Sequence, residues 1–246
     1  PRGTGKSTFI KNEAKPDLTL DLLKQDLYRE LSLHPSRLEE RVAHLKPKQS
    51  VFIDEIQKIP ELLDEVHRLS EDLGLIFYLT GSSARRLKRE QANLLAMRLV
   101  NRQFFPLTAA ELGGDFVVES ALRFGTLPAV TTARTNAERT DLLEAYAANY
   151  LTQEIRAEAL VRRLDSFTRF LDVAALANGQ VTSLAGIARD AAVARPTVQG
   201  YFEVLTDTLI GTFLPAWRTR AKVKEVAHPK FYFFDPGVVR ALTGRL

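Results

Sequence analysis

Apolar positions recur along this chain with two different periods, and the changes of period divide it into elements. Phe9 and Ile10 open an apolar helical stretch behind a glycine-containing turn. Leu18-Thr19-Leu20-Asp21-Leu22 alternates as a strand does, its side chains passing to opposite faces. Polar helical sequence then runs through Leu38, Val42 and Leu45 to Pro47, and Val51-Phe52-Ile53 and Leu75-Ile76-Phe77-Tyr78-Leu79 follow as unbroken apolar runs. Such short runs are the form of strands buried on both faces, so the order predicts an α/β fold with a parallel sheet.

Gly113-Gly114 and Gly125-Thr126-Leu127-Pro128 interrupt the pattern and place the edge of a first domain, residues 1–130. Helical sequence from about Asn136 to Leu164 predicts a lid or linker, residues 131–165. From Ser166 the spacing becomes that of a winged helix-turn-helix, residues 166–246. A first helix is expected from Phe167 to Ala177, and a second, capped by Ser183, bears Leu184 and Ile187. A turn at Ala191 to Ala194 and a third helix from Pro196 follow, the latter burying Val198, Phe202 and Leu205. Two strands are expected near Ile210 to Pro215 and Phe231 to Phe234, the second closing on a turn at Asp235-Pro236-Gly237. Trp217, the only tryptophan, is expected in the core.

Composition narrows the chemistry more than it names it. At 246 residues the chain exceeds what one core usually fills. No apolar run is long enough to cross a bilayer and no signal-peptide pattern opens the sequence, which predicts a cytoplasmic protein without a membrane partner. The absence of cysteine rules out disulfides, thiolate nucleophiles and cysteine-ligated zinc within the chain. His34, His44, His67 and His228 lie too far apart for ligand spacing. A net charge of +4 does not announce nucleic-acid binding by itself; distribution decides that.

Pro1-Arg2-Gly3-Thr4-Gly5-Lys6-Ser7-Thr8 fits the phosphate-loop pattern GxxxxGK[ST], with the leading glycine falling immediately before Pro1. The expectation is that the natural protein extends upstream and that the first strand of the sheet, which feeds this loop, is missing here. Gly3, Thr4, Gly5, Lys6, Ser7 and Thr8 would surround phosphate oxygens with backbone N–H groups and the positive end of the following helix. Lys6 would reach the β- and γ-phosphates, and the Ser7 hydroxyl would ligate Mg²⁺. Val51-Phe52-Ile53-Asp54-Glu55, an apolar run ending in two acids, would carry Asp54 to the ion and Glu55 to the attacking water.

The strand between these motifs, together with the added glutamate, points to a hydrolase of the ATPase class with an inserted strand, using ATP and Mg²⁺. Thr80 or Ser82, at the tip of the next strand, is expected to sense the γ-phosphate; turn and capping chemistry is the alternative for that segment. Arg98 and Arg102 are arginine-finger candidates, and surface ion pairing is the alternative. Thr108-Ala109-Ala110-Glu111 reads as a capping box. Arg218, Arg220, Lys222 and Lys224 occupy every second position after Trp217, which puts four cations on one face of an extended wing. That face suits DNA phosphates, and a solvated edge strand or a protein-docking wing is the alternative.

The order of segments resembles a group of prokaryotic AAA-like P-loop ATPases with a carboxy-terminal domain of unknown function that contains a winged helix. The matching pieces are Gly3 to Thr8, the run from Phe52 to Pro60, Leu79-Thr80-Gly81-Ser82-Ser83, Pro106-Leu107-Thr108 with Glu111, and Pro229-Lys230-Phe231-Tyr232-Phe233 with Asp235 and Gly237. The resemblance implies ATP and Mg²⁺ binding through Lys6, Ser7, Asp54 and Glu55, and a further domain downstream, often nuclease-like. Met97 stands where the group commonly has a glycine before the arginine at position 98. The two functional expectations are an ATP hydrolase and an ATP-gated regulator that binds DNA or protein with little turnover.

Overall fold

The structure, a computed structural model, describes residues 1–81, 100–150, 164–217 and 228–246. Two compact units are present: residues 5–104 form one, and residues 1–4 together with 105–246 form the other. Residues 105–130 group with the second unit, within which the helices after residue 117 pack.

The unit of residues 5–104 holds a parallel sheet in the order β1-β2-β3, formed by Leu18–Asp21, Ser50–Asp54 and Ile76–Leu79. Val51, Phe52 and Ile53 are fully buried, as a central strand of a parallel sheet requires. Leu18 pairs with Val51 and Asp21 with Asp54, while Ile53 pairs with Leu79, so all three strands end at one edge. Helices α1 (Lys6–Phe9), α2 (Gln25–Leu33), α3 (Arg37–Val42) and α4 (Leu62–Asp72) accompany the sheet. Leu62, Leu63, Val66 and Leu69 recur at helical spacing on α4 and bury that face in the core with Leu31, Leu38 and Val42. The expected strand at 18–22 and the apolar runs are therefore placed in one sheet, each within a residue or two of its expected ends.

The second unit contains α5 (Ala109–Leu112), α6 (Val118–Phe124), α7 (Pro128–Thr131), α8 (Asn136–Ala145), α9 (Leu164–Leu176), α10 (Leu184–Asp190), α11 (Arg195–Asp207) and α12 (Pro236–Leu242), with an antiparallel pair β4 (Gly211–Leu214) and β5 (Lys230–Phe233). An isolated bridge joins Val181 to Lys230. Thr108 and Glu111 form the expected capping box, each side chain bonded to the other's backbone N–H. The Ser183 hydroxyl caps α10 by accepting from the Gly186 N–H, and α11 starts with Pro196 in its first turn. An aromatic cluster fills the middle: Phe202 lies 4.9 Å from Phe170 and 4.7 Å from Phe231, both edge to face. Each such pair adds about 0.5–1.5 kcal/mol beyond its buried area.

Two expectations are corrected here. Trp217 is 89% exposed instead of buried, since it follows β4 at a point where the chain has left the aromatic cluster. Asp235-Pro236-Gly237 is a helix start and not a closing turn: the Asp235 carboxylate caps α12 by accepting from the Val238 N–H, and Pro236 occupies the first turn. An N-cap acid followed by proline satisfies both local patterns, and only the apolar residues Val238 and Val239 behind them favour the helix.

Asp235 does more than cap. It is fully buried, and its second oxygen accepts from the N–H of Thr126, 109 positions away, at 2.8 Å. A Cβ on Gly237 would lie 2.1 Å from the carbonyl oxygen of Phe124, so only glycine allows this approach of two backbones.

Candidate functional site

The ends of β2 and β3 and the start of α1 bring three side chains to one atom. The Ser7 hydroxyl donates to Asp54 Oδ1 at 2.9 Å, and the Thr80 hydroxyl donates to that same oxygen. Asp54 and Thr80 are each 6% exposed. The backbone explains the meeting: the Thr80 N–H donates to the Ile53 carbonyl at 3.1 Å, and the Ile56 N–H donates to the Thr80 carbonyl at 3.0 Å, which carries the β2–β3 ladder one step past the strands. A buried carboxylate oxygen with two hydroxyl donors is solvated by the protein in place of water.

Ser7 reaches this point because the chain turns sharply before α1. Gly5, with φ of 82°, stands at the amino end of the helix, and the Phe9 N–H donates to its carbonyl at 2.8 Å. Such a left-handed conformation favours glycine, and Gly3 has it too, with φ of 74°. Lys6 is half-buried at the first position of α1. Thr4 is buried and its hydroxyl donates to the Pro1 carbonyl at 3.1 Å, so this side chain supports the turn. Thr8 is exposed. Phe9, half exposed, meets Phe104 edge to face at 5.2 Å.

Glu55 follows Asp54 in a left-handed conformation, φ 62° and ψ 42°, rare for a side chain of this size. Residues held in such regions cluster at functional sites, where surrounding structure outweighs the cost. The carboxylate of Glu55 accepts a hydrogen bond from the side-chain amide of Gln57, which is 7% exposed. Sequence reasoning gave Gln57 no role, although a polar residue two places after the acid pair was the signal for one. Lys58 donates to the Leu22 carbonyl at 3.1 Å and lies 5.0 Å from the Tyr28 ring, which ties the turn after Glu55 to the end of β1.

Ser82 and Arg98 fall outside the described residues, as do Arg218, Arg220, Lys222 and Lys224. Arg102 is exposed. Among the described residues no cluster of histidine, cysteine and acidic side chains is arranged to hold a metal ion, and no helix is long and apolar enough to cross a membrane. The donors gathered at Asp54, one carboxylate and one serine hydroxyl, are nonetheless hard oxygens, the set that Mg²⁺ accepts alongside water and phosphate.

A parallel sheet whose strand tips hold an acid against a serine behind a glycine loop defines the P-loop class. In agreement, residues 1–113 match the family model of the AAA domain, a nucleotide-binding, ATPase-like domain. Residues 117–245, more than half of the chain, match a domain of unknown function (DUF8612), and the chain belongs to that family. It is also similar to the uncharacterized proteins Rv2008c of Mycobacterium tuberculosis and Mb2031c of Mycobacterium bovis, each 27% identical over 250 residues. The match covers 99% of this chain and 55% of each relative, so the chain spans about half the length of these proteins. No solved structure matches it.

Proposed function

We propose that this chain binds ATP with Mg²⁺ and hydrolyses it to ADP and phosphate. The observation that carries the reading is the Ser7–Asp54 hydrogen bond, because it joins the end of the phosphate loop to the acid at the strand tip. Gly3, Thr4, Gly5, Lys6, Ser7 and Thr8 supply the amide cradle, with Lys6 adding its ammonium to the β- and γ-phosphates. Ser7 and Asp54 would hold the ion, which when bound neutralises charge developing on the phosphate oxygens. Glu55 accepts a proton from the water that attacks the γ-phosphorus, and ADP leaves as the bond to the β–γ bridging oxygen breaks. Thr80 ties the Asp54 carboxylate to the tip of β3, a position suited to sensing the γ-phosphate.

The order α9, α10, α11, β4 and β5, with the Val181–Lys230 bridge beside the pair, supports a winged-helix reading of the carboxy-terminal residues. The exposed face of α11 carries Thr197, Gln199 and Glu203, and Gln199 donates to Glu203 at 3.4 Å. An acid on that face disfavours close approach to phosphates, so this module is read as a docking element whose state follows the nucleotide.

The deciding experiment compares the full-length protein with its Glu55→Gln variant. ATP binding without turnover in the variant is the expected result, with turnover reduced about 10²- to 10⁴-fold. Unchanged turnover removes Glu55 from the mechanism, and absence of ATP binding in the unsubstituted protein removes the reading altogether.

A further inference from the structure

The first residues of the phosphate loop pack against the carboxy-terminal half of the sequence, with which they share a compact unit. Tyr146, directly after α8 and 7% exposed, donates its hydroxyl to the Arg2 carbonyl at 3.1 Å across 144 positions. Its ring edge is 3.5 Å from where a Cβ on Gly3 would sit, and Leu127 is 3.9 Å from that same point. Tyr146 thus holds the Arg2 carbonyl and abuts Gly3 from the same side. Phe234 lies 6.1 Å from the Tyr146 ring, and the adjacent Asp235 accepts the Thr126 N–H that immediately precedes Leu127.

A peptide group is planar and trans, so the Arg2 carbonyl and the Gly3 N–H point in opposite directions from one rigid plane. Fixing the carbonyl on Tyr146 therefore fixes the direction of the Gly3 N–H. We propose that Tyr146 is a positioning residue for nucleotide binding: by holding the Arg2 carbonyl it aims the Gly3 amide into the phosphate cradle, and the Phe234-Asp235 segment supports it in that role. This rests on the ATP reading above. A loop whose amides are already oriented loses less freedom on meeting phosphate, so the hydroxyl contributes to affinity without touching ligand. Glu55 and Asp54, which do the chemistry in that reading, belong to the other compact unit.

Tyr146→Phe keeps the ring and removes the donor. In the full-length protein with Mg²⁺ present, the variant's Kd for ATP is expected to rise roughly fivefold, the loss of one ordinary hydrogen bond. KM should rise with it while kcat holds, and Tm without nucleotide should fall by no more than the loss of one hydrogen bond implies. Phe234→Leu, which leaves the hydroxyl but loosens its ring support, should raise Kd by less, and the double variant should match Tyr146→Phe alone. An unchanged Kd in Tyr146→Phe overturns the proposal. So does a raised KM accompanied by an equal or larger loss of kcat, the pattern of a general structural defect. If the unsubstituted protein binds no ATP, the ATP reading fails and takes this inference with it; if it binds and Tyr146→Phe binds equally, only this inference fails.

Discussion

Ser7 and Asp54, 47 positions apart, meet through one hydrogen bond of 2.9 Å at the edge where the parallel strands end. The contact joins the two groups with the chemistry to share a divalent ion, and Thr80 holds the acid from its other side. Removing the acid should therefore have separable effects on folding and, under the proposed function, on ATP turnover.

Asp54→Asn keeps the size of the side chain and an acceptor for the two hydroxyls, whereas Asp54→Ala leaves the buried Thr80 hydroxyl and the half-buried Ser7 hydroxyl without it. The alanine variant should lose about 1–3 kcal/mol for the buried Thr80 donor left unsatisfied, read in denaturant unfolding. The asparagine variant should fold with nearly unchanged stability and lose Mg²⁺-dependent ATP turnover by about 10²-fold or more. Equal turnover in Asp54→Asn, measured across a magnesium titration, would remove the carboxylate from the ion site.

Gln57 sets a different balance. Its amide donates to the Glu55 carboxylate and draws the acid back toward its own turn. Gln57→Leu keeps the volume and releases the carboxylate. The expected outcome is a rise in kcat of up to about tenfold, the scale of one hydrogen bond to a charged group, with ATP affinity unchanged. A fall in kcat would show that the amide aims Glu55 at the water.

The motifs at this site were legible because phosphate chemistry demands residue types at fixed spacings: glycines where the backbone must turn, a lysine and serine after them, acids at a strand tip. The sheet was legible because parallel strands buried on both faces read as apolar runs. Contacts between distant segments leave no such trace. The Tyr146–Arg2 and Asp235–Thr126 bonds each join a side chain to a backbone atom more than a hundred positions away, and any residue type presents the same backbone. Trp217 was misplaced for a related reason: an apolar ring beside a strand fits core and surface alike until neighbouring segments are in place.

Burial pushes the Asp235 carboxyl above the ordinary aspartate value of 3.8, and N–H bonds from Thr126, Val238 and Gly237 offset this in part. A raised folded-state value means that the native protein binds the proton more tightly than the unfolded chain does. The stability this contributes is fully present below the unfolded value and is lost as pH rises through the folded one. Asp235→Asn has no such titration. The unfolding free energy of the natural protein minus that of the variant should therefore fall across that window and level off above it, as denaturant curves at stepped pH would show. A difference that rises with pH contradicts the burial argument.

Trp217 carries a practical consequence for spectroscopy. With the single indole already in water, its emission maximum should sit near that of free tryptophan in the native protein, and unfolding should move it little. Folding is better followed through circular dichroism or the buried tyrosines. The same fluorophore stands one to seven residues ahead of the alternating cations, so quenching or a blue shift on adding an oligonucleotide or a protein would report occupancy of that stretch directly.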